Sequence, residues 1–237
     1  MAMTRLRYQL QAAVPGGGMV TTAAVLTGTL GAAAACWVIA VDQMRGMDMG
    51  VATRLGSFAF FTASWTAMMA AMMLPGAVPA VLRRTHASGR VLAAPLFAVS
   101  YIAVWVVVGI AVYALYRPHG TVAAGVIVIA AGVYELTPVK RHFRMQCHEK
   151  ARSGLVFGVD CVGSSAGLMA MLVVLGVMSV AWMAVIATVV VAQKILLPRT
   201  TIDVPIAIAI VGLGIVVLAA PSSVPGLLPT MGHMPMM

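Results

Sequence analysis

Charge is scarce in this sequence. Asp, Glu, Lys and Arg together make up 9% of its 237 residues, where a soluble domain carries roughly 25%. That shortage excludes an ordinary soluble globular fold. Acids are scarcer than bases, 6 against 15, which leaves a formal charge of +9. The excess could suggest nucleic acid, but no basic helix interleaved with aromatic residues is present, and aromatics are only 6% of the chain. The three cysteines, Cys36, Cys147 and Cys161, are odd in number and lack CxxC spacing, so they define no disulfide framework. The chain has no Walker loop, no GxGxxG motif opening a helix, no nucleophile elbow and no nucleophile–base pair. Enzyme catalysis by this chain on its own is therefore not expected. No internal repeat marks an inverted-repeat transporter.

What is abundant is apolar sequence. Hydrophobic residues make up 62% of the chain and the mean hydropathy is +1.01, as in a polytopic membrane protein. A span needs roughly 20 apolar residues. Seven segments qualify or nearly so: 20–41, 57–82, 91–116, 121–136, 153–175, 177–193 and 204–220. The fifth and sixth are divided only by Gly176, so one long helix there would give six spans. With seven spans and the N-terminus in the cytoplasm, twelve Lys and Arg fall on one side and three, Arg45, Arg54 and Arg117, on the other. The positive-inside rule then favours seven spans in a bacterial inner membrane and an external C-terminal tail. Arg5 and Arg7 precede a segment long enough to span, which reads as a retained anchor rather than a cleaved signal. The expected organisation is an N-terminal cytoplasmic segment (1–19), an all-α transmembrane helical bundle (20–220) and a tail containing Met and His (221–237).

The chain is organised around Trp65-Thr-Ala-Met-Met-Ala-Ala-Met-Met-Leu-Pro75. On a helix, Met68 lies over Met72 and Met69 over Met73, since residues four apart share a face. The 19 Met residues are flexible core fillers on one reading and soft ligands for Cu(I) on the other. Pro75 and Pro79 interrupt the hydrogen-bond ladder and are expected to kink the helix.

The copper reading requires other donors to converge on this strip. Asp160 and Cys161 lie inside the fifth segment, where an intramembrane carboxylate suggests function; alternatively, Asp160 caps a helix at the interface. Glu135 ends the fourth segment, either at the same depth as the Met strip or in a surface pair with Lys140 or Arg141. The candidate metal site is therefore Met68, Met72, Met73, Glu135, Asp160 and Cys161. The segment 140–152 is read as a basic loop held at an anionic leaflet, although it also carries His142, Met145, Cys147 and His148. A second candidate site on the opposite side comprises Met47, Asp48 and Met49 with His233 of the tail. Gly163-xxx-Gly167 is a packing motif, and His119 is a loop residue.

Several of these blocks resemble a bacterial family described as predicted metal-binding integral membrane proteins, a domain of unknown function. They are Met47-Asp-Met-Gly50, Trp65 to Pro75, Tyr134-Glu-Leu-Thr-Pro-Val-Lys140, Asp160-Cys-Val-Gly-Ser-Ser-Ala-Gly-Leu-Met169, Gly176-Val-Met178, Trp182-Met183 and Gln193-Lys194. The resemblance implies a polytopic helical fold and metal binding. It also exposes departures. Where the family carries two cysteines after the Lys140 position, this chain has Phe143 and Cys147. Where it carries a Gly-Cys-Cys step, this chain has Gly163-Ser164-Ser165. A site in this chain is thus either lost or rebuilt with Met, Asp and Glu.

The expected function is a non-enzymatic membrane protein that binds copper or delivers it to a partner. The alternatives are a subunit of a membrane copper oxidase or monooxygenase complex, and a transporter with Asp160 and Glu135 in its pathway. The expected partners are the lipid bilayer and other membrane subunits, not nucleic acid.

Overall fold

The computed structural model describes residues 17–45, 55–149, 153–176, 179–196, 200–224 and 227. Met47, Asp48, Met49 and His233 lie outside the described residues. Among those described, all regular structure is helical: α1 (Gly17–Met44), α2 (Phe58–Ser88), α3 (Ala93–Leu115), α4 (Thr121–Glu135), α5 (Pro138–Glu149), α6 (Gly154–Gly176), α7 (Val180–Ile195), α8 (Thr200–Ala219) and a 3-10 turn at Pro221–Ser223. The expected all-helical bundle is what the chain forms.

Seven of these helices are apolar and follow the seven segments read from the sequence. By length and composition, α1, α2, α3 and α6 are each able to cross a membrane, while α7 and the apolar part of α8 are shorter. Helix α4 reaches a span's length only together with α5, from which it is bent by 64°. The fifth and sixth segments do not merge into one helix. Gly176 takes a φ of 135°, a conformation open to glycine, and Ser179 caps α7 by accepting the Trp182 N–H.

α2 is the central element. It is framed by an N-cap, Ser57, whose hydroxyl accepts from Phe60 N at 3.3 Å, and by Gly89 in the left-handed region at φ 63°, a common helix stop. It stays helical through Pro75 and Pro79. Trp65, Met68, Met69, Met72, Met73 and Leu74 are all buried, and α2 packs against α1, α3 and α7. Trp65 Nε1 donates to Trp105 O of α3 at 2.8 Å. Its ring lies where a side chain at Gly109 would have to go, so the glycine admits the indole.

Glycines also set the spacing of α4 and α8. A Cβ on Gly132 would come within 2.7 Å of Val211 Cγ2, and one on Gly214 within 2.6 Å of Ile129 Cγ1. Gly163 and Gly167 behave as the packing motif they resemble, the first under the Phe143 ring of α5 and the second against Ala131 and Tyr134 of α4.

The helices alternate in direction. Thr22 at the start of α1 meets His86 at the end of α2 at 3.1 Å, and Tyr113 at the end of α3 reaches Gly56 before α2 at 3.2 Å. His119 before α4 reaches Val174 near the end of α6 at 3.1 Å. One end of the bundle therefore gathers the end of α2, the start of α3, α5, the start of α6 and the end of α7. Arg83, Arg84, Arg90, Lys140, Arg141, Arg144 and Lys194 lie at that end, and Arg45 and Arg117 at the other.

Candidate metal centre

The segment read as a basic loop is a helix, and its pattern explains why. In α5, Lys140, Arg144 and Cys147 recur at intervals of four and three and form the buried face, while Arg141, His142 and Met145 are exposed. Two of the cations assigned to the leaflet are thus inside the protein. The Lys140 ammonium donates to Glu135 Oε2 and to Gln193 Oε1 at 3.0 Å. Gln193 Nε2 donates to the same Glu135 oxygen at 2.7 Å. The Glu135–Lys140 pair considered from the sequence exists, but its side chains are 0% and 2% exposed rather than at a surface. Glu135 Oε1 is buried without a hydrogen-bond partner among the described residues.

Beside it, Arg144 donates to Asp203 of α8, to Gln193 O at 2.8 Å and to Leu196 O at 3.0 Å. One guanidinium thereby fastens α5 to the end of α7 and the start of α8. Buried charges require such pairing, because leaving water costs several kcal/mol per ion. Asp203 was missed in the sequence reading. An acid near the start of an apolar helix was the available signal.

Next to these ion pairs lies a cavity of about 140 Å³ lined by Gly76, Pro79, Arg83, Cys147, Phe157 and Lys194, among others. Lys194 crosses its inner side. Its ammonium donates to Tyr101 Oη at 2.8 Å and approaches Met73 Sδ at 3.7 Å, with the faces of Tyr101 and Phe157 beneath it. Tyr101 Oη in turn lies 3.0 Å from Cys161 Sγ. Cys147 Sγ is 4.0 Å from Ser164 Oγ, which donates to Cys161 O at 3.0 Å. Cys147 and Lys194 line the same cavity.

Three sulfur side chains, Met73 of α2, Cys147 of α5 and Cys161 of α6, therefore gather around one lysine and one tyrosine. Phe143 and Ser164, two positions where the resembled family places cysteine, also lie here, Phe143 on Gly163 and Ser164 beside Cys147. Cys147, expected in a loop as a possible ligand and at one of the resembled family's cysteine positions, lies on the buried face of α5. Tyr101 was not singled out, and Lys194 appeared only within a motif.

The other expected ligands fall differently. Met68, Met72 and Met73 all belong to the apolar core, the filler role of methionine, and Met73 also meets the Lys194 ammonium. Asp160 is half-buried two turns inside α6. It is not the cap of that helix, because Ser153 holds that place and accepts from Val156 N at 3.3 Å. Glu135 is occupied by Lys140 and Gln193. Among the described residues, no group of three or more His, Cys, Asp or Glu is placed to hold a metal ion. The sulfur set consists of only two thiols and a thioether. Those donors fit a soft monovalent ion such as Cu(I) and are a poor match for a hard cation.

Fold and site together define a class: an all-helical protein with a small cavity toward its more basic end, where Cys147 and Lys194 share the wall. Residues 62–217 match the family described as PpoB2: Copper chaperone, and the chain belongs to that family. This family is described by copper, whereas the motifs above resemble a domain of unknown function. No curated protein and no solved structure matches the chain.

Proposed function

We propose that this protein is an integral membrane copper chaperone that takes Cu(I) on Cys147 and Cys161, with Met73 as a third soft donor, and passes it to a partner protein. The observation that carries the reading is the convergence of these three sulfurs from three helices around Tyr101 and Lys194. Membership of a copper chaperone family supports the choice of ion. Thiolate and thioether donors favour Cu(I), and a site of few donors can release its ion to a partner that offers more. The cavity opens beside Arg83 and Ile195, at the end of the bundle richer in Lys and Arg, which the positive-inside rule assigns to the cytoplasm. The site would then load from the cytoplasmic face of the inner membrane.

The test is Cu(I) binding by the detergent-solubilised full chain in competition with a chromophoric Cu(I) chelator. Cys147→Ser and Cys161→Ser are each expected to weaken binding by about a hundredfold, equivalent to about 2.7 kcal/mol. Met68→Leu, in the apolar core, should leave it unchanged. Undiminished binding in the double cysteine variant would overturn the assignment.

A further inference from the structure

We infer that Lys194 is the residue that makes this site selective for a monovalent ion, by supplying the single positive charge that a Cu(I) dithiolate neutralises. The inference rests on the copper reading above and extends it from where the ion binds to why that ion is chosen.

Near the cavity, Arg144 is paired with Asp203 and Lys140 with Glu135, and Arg83 and Asp160 each have interactions of their own. Lys194 differs from these. Among the described residues, no carboxylate pairs with it. Its ammonium is held by a phenol oxygen, a thioether and two aromatic faces. Lys194 is half-buried, and its ammonium is turned inward onto these groups.

The seat is built for it. A Cβ on Gly76 would come within 2.5 Å of Lys194 Cδ and 3.4 Å of its Cβ. The lysine stem therefore crosses α2 where α2 has no side chain, which carries the ammonium to Tyr101 Oη rather than out to solvent.

On binding Cu(I), two thiols lose two protons and form two Cu–S bonds, giving a complex of charge −1. Zn(II) on the same two thiolates gives a neutral complex. A positive charge held beside the site favours the anionic complex over the neutral one, and this adds to the ions' intrinsic preferences.

Full-length protein in detergent, titrated with Cu(I) and separately with Zn(II) against chromophoric chelators, tests this directly. Lys194→Leu is expected to weaken Cu(I) binding about tenfold and strengthen Zn(II) binding about tenfold, while Lys194→Arg, which keeps the charge, retains most of the wild-type ratio. Tyr101→Phe, which removes the hydroxyl that holds the ammonium, should shift the ratio in the same direction as Lys194→Leu by a smaller amount. A Cu(I)-to-Zn(II) ratio unchanged in both Lys194→Leu and Tyr101→Phe overturns this inference and leaves the copper site standing. Wild-type protein that takes up no Cu(I), or takes it up independently of Cys147 and Cys161, overturns the copper reading itself.

Discussion

Buried charge on single residues shapes the end of the bundle that carries the site. Arg144 and Asp203 have side chains that are 4% and 7% exposed, and the same guanidinium satisfies two backbone carbonyls of α7 and the residue after it. Removing one partner strands the other in the interior. Arg144→Met is expected to destabilise the protein by about 3–5 kcal/mol, measured as a lower unfolding midpoint in detergent. Asp203→Leu in the same chain should recover most of the loss, since a buried ion pair is often replaced by apolar residues at little cost. A double variant no more stable than Arg144→Met would show that the arginine acts mainly through the carbonyls of Gln193 and Leu196.

Among the elements, glycine placement separates helices that must touch from helices that need not. On α4, a side chain at Gly132 would strike Val211 N and Ala207 O as well as the Val211 side chain. Backbone atoms cannot step aside, so α4 and α8 would have to part. On α1, nothing lies within 4 Å of a Cβ at Gly31. Gly132→Leu should therefore cost about 3 kcal/mol or prevent assembly, whereas Gly31→Ala should be neutral or raise helix stability by about 0.5–1 kcal/mol. Thermal unfolding of the two variants side by side checks the contrast, and equal stability would mean that α4 and α8 are not in fact close-packed.

For the molecule as a whole, the alternating directions of the helices put Arg84 and Arg45 at opposite ends, and both side chains are exposed. In a Cys36→Ser background, Arg84→Cys and Arg45→Cys should react with a membrane-impermeant thiol reagent from opposite faces of sealed vesicles, with Arg84→Cys on the cytoplasmic face by the positive-inside rule. Labelling from the same face would contradict a bundle that crosses the bilayer in this sense.

The apolar runs determined the helices, because any segment of that length in hydrocarbon must satisfy its own backbone hydrogen bonds. The spacing of Lys140, Arg144 and Cys147 also contained the buried face of α5, but a run so rich in charge reads as exposed until partners are known. Of those partners, Glu135 lies five residues from Lys140 and is legible as its pair, whereas Gln193 and Asp203 come from α7 and α8, and no local pattern links them. Of the methionine strip, sequence periodicity could not say which sulfur meets a polar group. Met73 does so because Lys194, 121 residues away, passes across Gly76. Helix identity depends on the composition of one segment and is written there. A cavity depends on what several segments leave unfilled between them, and only their packing decided it.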